Sequence, residues 1–234
     1  MMKKVNMKIA FLSIALYLTA SWVQASEKPK PDALKTDAQG VAIVVKAIKV
    51  VEAKEKQSNW RSVQRGQQLN SGTQVRTGAQ SFSILKFADN SVVRISENSE
   101  IVIKGDKAAG NAMNKTVELN LGKVGFNIKK QGQGEVFRFS SPTAVASIKG
   151  TTGYFGNGSL LILSGLASLS LPDGSLARDV GEGQIGIVAN GQVEVRPATQ
   201  EELDEARRIV GEINERITIK FRDKNGNIRE IEIR

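Results

Sequence analysis

The residues best placed to do chemistry are the run Ile148-Lys149-Gly150-Thr151 and a tryptophan in polar surroundings, Trp60. A cation beside Gly-Thr can hold an anion, because glycine lets a backbone amide approach closely. The competing reading is a bend in which the Thr151 hydroxyl satisfies a backbone group. Lysine lacks the bidentate fork with which arginine grips carboxylates and phosphates, which favours the bend. Trp60 is flanked by Ser58, Asn59 and Arg61. Its ring could stack on a ligand, but a large apolar face more simply caps one end of a core. Trp60, Lys149, Gly150 and Thr151 are therefore the candidate contacts with a ligand or partner, each with a structural explanation beside the functional one.

Catalysis has few other instruments here. The 234 residues include no His and no Cys. That removes the usual neutral-pH base, serine triads, and most zinc and haem sites. It also removes thiol nucleophiles, disulfides and thiolate-bound clusters. A carboxylate enzyme such as a glycan hydrolase would need two carboxyls about 5–10 Å apart across a cleft. Glu97 and Glu100 are close in sequence, but they sit in an Asn/Ser-rich turn and are expected to face water. No catalytic residue, cofactor or metal is assigned.

The elements that must position the candidates are short strands. Val41 to Val51 is a Val/Ile-rich run containing Lys46 and Lys49. Phe82 to Phe87, Val92 to Ile95, Ile101 to Ile103 and Val117 to Leu121 approximate period two. Gly and Asn punctuate nearly every interval, as turns with positive φ require. No helical apolar stripe occurs between Val41 and Pro197. Glycines at 40, 122, 165 and 191 each precede a strand-like run, but at irregular spacing, whereas a strict solenoid keeps a fixed period. The expectation is a mainly β domain over residues 40–196. Its architecture would be a β-roll or short irregular β-solenoid, with a two-sheet sandwich as the alternative.

An ordered string of motifs runs through this stretch. It reads Trp60, Gly66-Gln67-Gln68-Leu69, Val75-Arg76-Thr77-Gly78 and Phe87-Ala88-Asp89-Asn90-Ser91. Leu121-Gly122-Lys123-Val124, Ser141-Pro142-Thr143-Ala144 and Ile148-Lys149-Gly150-Thr151 complete it. In order and spacing the string resembles the FecR-domain family of exported bacterial proteins. That family often has Arg at the place of Lys149 and Asp-Gly-Ser at the place of Asp89-Asn90-Ser91. Asn is the non-glycine residue that best tolerates the left-handed conformation, so a turn is expected to survive there. Pro142 suits a bend between strands. The resemblance implies a non-enzymatic envelope module for binding, sensing or scaffolding. In the family's best-known architecture a sigma-controlling segment precedes a membrane helix. Only about eight residues precede the apolar run here, so an exported, stand-alone version is expected.

The first 25 residues read as an address. Lys3, Lys4 and Lys8 precede a short apolar core from Ile9 to Leu18, and Val23-Gln24-Ala25 offers a cleavage site. A bilayer span needs roughly 20 apolar residues; an uncleaved anchor is the alternative. Residues 26–39, with Pro29 and Pro31, read as a flexible linker. Removing the three lysines lowers the net charge from +9 to +6. That charge leaves an electrostatic binder of envelope polyanions or glycans as a second reading. Nucleic acid is not expected, because no aromatic-basic recognition motif appears. The partner is expected to be an envelope protein or glycan met in the periplasm or outside the cell, with no membrane span after cleavage.

Residues 197–234 read as a separate tail. Thr199 and Glu202 have capping-box spacing, and Leu203, Ala206, Val210 and Ile213 mark one face of a helix to about Arg216. This stripe is expected to dock on its own domain. A hairpin then spans Ile217 to Ile233. A three-residue loop Lys224-Asn225-Gly226 pairs Ile217 with Ile233, Ile219 with Ile231 and Lys220 with Glu230, which gathers isoleucines on one face. N-terminal sequencing of the exported protein is expected to begin at Ser26; a start at Met1 or Met2 in membrane-bound material would establish the anchor instead.

Overall fold

The β-type runs of the sequence become strands at nearly every expected place. The computed structural model describes residues 40–107, 112–156, 158–211, 213, 217–222 and 228–233. The expected signal segment, its cleavage site, the linker to residue 39 and the hairpin loop at 223–227 lie outside the described residues.

The chain repeatedly crosses between two sheets. β1 (Ala42–Ile48) belongs to the first sheet, β2 (Val51–Lys54) and β3 (Arg61–Ser62) to the second. β4 (Gln68–Leu69) is in the first and β5 (Gln74–Thr77) in the second. β6 (Phe82–Phe87) and β7 (Val92–Ile95) join the first; β8 (Glu100–Lys107) and β9 (Met113–Leu121) join the second. β10 (Lys123–Asn127) returns to the first, and β11 (Phe137–Ser140) and β12 (Val145–Ile148) to the second. β13 (Thr152–Gly156) and β14 (Ser159–Ser164) extend the first, then β15 (Leu166–Ser170) and β16 (Arg178–Gly181) the second. β17 (Gln184–Ala189) and β18 (Gln192–Pro197) complete the first.

Both sheets have nine strands and open edges, so neither closes into a barrel. The first runs β18-β17-β14-β13-β10-β7-β6-β1-β4, and the second β16-β15-β12-β11-β9-β8-β5-β2-β3. From β5 and β6 onward each sheet grows in chain order. Pairing is antiparallel except between β9 and β11, which run parallel because β10 intervenes in the other sheet. The chain is mainly β, as its pattern predicts.

The sheets share one apolar layer. Phe87, Phe126 and Phe155 from the first sheet meet Phe137 and Phe139 from the second, and all five are essentially inaccessible. Phe126 stacks on Phe139 at 4.8 Å, Phe155 on Phe139 at 5.9 Å, and Phe87 meets Phe137 edge-on at 5.0 Å. Such pairs add roughly 0.5–1.5 kcal/mol each beyond area burial.

One expectation is corrected. The apolar run Val41 to Val51 is two strands in different sheets, because Lys49 takes a positive φ of 58° and turns the chain. Val50 is left 59% exposed at that corner. The other turn readings hold. Asn90 adopts φ 64°, and Pro142 lies in a bend where the Ser141 amide donates to the Ala144 carbonyl at 2.8 Å.

The tail begins with α1 (Gln200–Gly211). The Thr199 amide donates to Glu202 Oε2 at 2.8 Å, and the Glu202 amide to Thr199 Oγ1 at 3.3 Å, completing the capping box. Arg196 donates to both Glu202 oxygens, at 2.7 and 2.9 Å. These hydrogen bonds, with those at Thr199, hold the Glu202 carboxyl at about 2. Among the described residues the helix runs to Gly211, and the expected extension to Arg216 falls largely outside them. Leu203, Ala206 and Ile209 pack on Tyr154, Leu161 and Ile185, on the outer face of the first sheet. Gly125 on β10 makes this possible, since a Cβ there would lie 2.7 Å from Ile209 Cγ2. The stripe therefore docks on its own sheet. β19 (Ile217–Arg222) and β20 (Ile228–Ile233) pair Ile217 with Ile233, Ile219 with Ile231 and Lys220 with Glu230, the expected register.

Phe139 touches three other rings, so Phe139→Ala is expected to cost about 3–5 kcal/mol. Denaturant unfolding at pH 7 should show a lower midpoint; an unchanged midpoint would mean that the stack is not the centre of the core.

Candidate functional site

Ile148-Lys149-Gly150-Thr151 closes β12, and its members face different ways. Gly150 has φ 119°, and a Cβ there would lie 3.2 Å from Lys130 Cα. Thr151 is 2% exposed, and its hydroxyl donates to the Leu166 carbonyl at 2.8 Å. Its amide donates to Ile128 O and its carbonyl accepts from Ile128 N, both at 3.0 Å. Gly150 and Thr151 are thereby occupied by packing and backbone pairing, and the Thr151 amide is not open to an anion. Lys149 is exposed.

Lys149 lines a groove of about 810 Å³ on the outer face of the second sheet, across β11, β12, β15 and β16. The registers explain which side chains share it. Arg138 faces Ser147, Ser147 faces Ser168, and Ser168 faces Asp179, so these four form one row across four strands. A parallel row sets Ser140 beside Val145 and Val145 beside Ser170. Beyond the Ile148–Ala167 pair, the same register sets Lys149 against Leu166, which is 56% exposed. Lys149 is thus a diagonal neighbour of Arg138, within reach of one small anionic group.

Some charges of this sheet are paired and others are not. Between β2 and β9, Arg76 pairs with Glu52 at 2.7 Å, and Lys104 pairs with Glu118. Lys54 lies over the Trp60 ring at 4.6 Å. Between β11 and β16, Arg138, Lys149 and Asp179 make no ion pair or side-chain hydrogen bond with any described residue. Asp173, at the groove's end, is instead committed to its own turn. It accepts from the Ser175 hydroxyl at 2.6 Å and the Ser175 amide at 2.8 Å, which lowers its pKa.

Trp60 stands elsewhere. It precedes β3, the edge strand at the opposite end of the same sheet, and is held between Lys54 and Arg76, the latter 4.2 Å from the ring. It belongs to neither hydrophobic cluster. The expected core cap is therefore a surface stack of cations on an indole. The structure does not bring Trp60 and Lys149 together. Glu97 and Glu100 do not share a cleft either. Glu97 lies in the groove beside α1, accepting from the Gln80 amide, while Glu100 accepts from Asn120 on the second sheet. Among the described residues no cluster of three or more Asp or Glu could hold a metal ion.

The sequence reading missed one site. Lys115 on β9 is 2% exposed and donates to Asp89 Oδ2 at 3.0 Å. Gln131 donates to the same oxygen at 2.9 Å, and the Ser91 amide and hydroxyl bind Asp89 at 3.0 and 2.9 Å. Burial would raise the Asp89 pKa, but the bonds from Gln131, Ser91 and Lys115, with the Lys115 charge, hold it below the ordinary value. Asp89-Asn90-Ser91 is thus more than a turn: it ties the first sheet to a strand of the second. The signal was present, since Lys115 shares its face of the strand with Val117 and Leu119, and an inward lysine needs a buried carboxylate.

Removing Asp89 leaves Lys115 buried and unpaired, so Asp89→Ala is expected to cost about 3–5 kcal/mol, and Lys115→Met much less. Because the Asp89 pKa is lowered on folding, the pair's contribution is full above the ordinary aspartate value and is lost as pH falls through the lowered one. The acid-induced drop in unfolding midpoint should therefore be smaller in Asp89→Asn than in wild type. Equal drops would exclude this pair from acid stability.

Residues 73–162 match the family model described as "FecR protein". The match is shorter than the 40–196 expected from the motifs, and Trp60 and Gly66 to Leu69 fall outside it. Comparison with curated proteins returns no match. Among solved structures, two crystal structures of a "putative anti-sigma factor" from Parabacteroides distasonis, at 1.65 and 2.50 Å resolution, are similar. Each is 12% identical with a TM-score of 0.47; they cover 65% and 62% of this chain, and 70% and 66% of theirs. On the family match and the motif string within it, the chain carries a FecR domain.

Proposed function

We propose that the chain is an exported, non-enzymatic module of the bacterial cell envelope that binds a ligand or partner on the outer face of its second sheet. One observation carries the reading. The groove from β11 to β16 leaves Arg138, Lys149 and Asp179 unpaired beside a run of hydroxyls, whereas Arg76–Glu52 and Lys104–Glu118 are paired on the same sheet. An open, hydroxyl-lined surface suits recognition. The carboxylates singled out for hydrolysis lie apart, and the chain has no His or Cys to serve as base or nucleophile. The lysine-flanked apolar segment near the start supports export, and the FecR match supports a sensing or signalling role at the envelope. Among the described residues no helix is long and apolar enough to cross a membrane. We read the architecture as a short irregular β-roll, because both sheets grow in chain order as the chain alternates between them.

The second reading, an electrostatic binder of envelope polyanions or glycans, rests on the adjacent cations Arg138 and Lys149 and on the net positive charge. Salt separates the two. Diffuse attraction collapses between low and physiological ionic strength, whereas a shaped interface persists.

Immobilised protein should retain an envelope component at physiological salt, and the double variant Arg138→Glu, Lys149→Glu should lose it. Both residues are exposed, so the unfolding midpoint of the variant should stay within about 0.5 kcal/mol of wild type. Retention unaffected by the double variant would move the site off this face. Turnover of an envelope glycan that is abolished by one Asp, Glu or Lys substitution would overturn the non-enzymatic reading.

A further inference from the structure

The groove is electrically bipolar. Its unpaired cations, Arg138 and Lys149, belong to the β11–β12 side, and its unpaired carboxylate, Asp179, belongs to β16 at the sheet edge. Between them lie Ser147 and Ser168, whose hydroxyls bond to no described residue. In the same sheet, Lys104 on β8 pairs with Glu118 on the adjacent β9. Arg138 and Asp179 cannot, because β12 and β15 stand between them. At an inter-strand spacing of about 4.8 Å, three steps separate their backbones by roughly 14 Å. From Lys149 the offset to Asp179 is two steps across and two residues along the strands, roughly 12 Å.

Resting on the reading of this face as the binding surface, we infer that the groove takes a short zwitterionic peptide of three or four residues lying across the strands. Its carboxylate sits against Arg138 and Lys149, and its ammonium against Asp179. An extended chain advances about 3.3–3.6 Å per residue, so three or four residues span roughly 10–14 Å, a range that includes both charge separations. Ser147 and Ser168 lie along that path, where each hydroxyl can donate to a peptide carbonyl or accept from a peptide amide. Leu166, 56% exposed and set against Lys149, offers an apolar contact to a side chain near the carboxylate end. A polyanion would use only the cationic side and would be repelled by Asp179. A bipolar ligand uses both sides, and the fixed separation selects its length.

The test is titration of the full-length chain with tetra-alanine bearing free termini, followed by calorimetry or by chemical-shift changes at Ser147 and Ser168. N-acetylation or C-terminal amidation should each weaken binding about fivefold, the upper end for an exposed ion pair. Asp179→Asn should weaken binding of the free peptide and leave the acetylated peptide unchanged; Arg138→Gln should do the converse with the amide. Dialanine should bind more weakly than tetra-alanine. Equal affinity for free and acetylated peptides, or displacement by dextran sulfate that Asp179→Asn does not alter, would overturn the inference in favour of an anion site. No binding of tetra-alanine at millimolar concentration would also overturn it. If the Arg138→Glu, Lys149→Glu variant still lost the envelope component, the face would remain the binding surface and only the ligand class would fall.

Discussion

Everything else in this molecule depends on two open sheets closing over one aromatic layer. Each strand is too short to stabilise itself, and a sheet with one apolar face must bury it against something. Here the partner of each sheet is the other, reached by a chain that crosses every one or two strands. Phe139 sits where the crossings converge, in contact with Phe126 and Phe155 from the opposite sheet and Phe137 from its own strand. With the inner faces committed to one another, only the outer faces and edges remain for other tasks.

The two outer faces are used differently. On the first sheet, α1 covers the patch around Tyr154, Leu161 and Ile185, fixed by the capping box, the Arg196–Glu202 pair and the Lys123–Glu205 pair. Gly125 sets how closely the helix approaches, because any side chain there would meet the Ile209 backbone. The second sheet keeps its groove open. Its polar residues follow from the period-two alternation that drives Phe137, Phe139, Ala146, Ile148, Ala167 and Leu169 inward. A face built this way presents rows of side chains at fixed spacing, and that regularity can read an extended ligand.

Charge is handled in three ways according to its surroundings. Lys115, inside the layer, is held by Asp89, which itself accepts from Gln131 and Ser91; a buried ion without such partners would be prohibitively costly. Arg76 and Lys104, on the solvated face, pair with carboxylates on neighbouring strands, at little net gain. Arg138, Lys149 and Asp179 form no such pair: β12 and β15 separate Arg138 from Asp179, β15 separates Lys149 from it, and Glu118 beside Arg138 is bonded to Lys104. The first arrangement holds the sheets together, the second tidies the surface, and the third is available for recognition.

Much of the fold was legible in the residues alone. The short alternating runs, the Asn90 turn, the Pro142 bend, the capping box and the hairpin register are local or near-local consequences of backbone sterics and period-two patterning, so they needed no tertiary information. The motif string likewise named the FecR domain. Partners far apart in sequence were not legible. That Val41 to Val51 breaks at Lys49, that Trp60 is gripped by Lys54 and Arg76 rather than capping the core, and that Lys115 finds Asp89 all depend on which strand lies beside which. The candidate site was half visible: Lys149 stood out because of its glycine neighbour, yet Arg138, Ser147, Ser168 and Asp179 carry no mark in sequence. They became one surface only because β11, β12, β15 and β16 are adjacent, and adjacency is set by how the sheets grow, which no local pattern encodes.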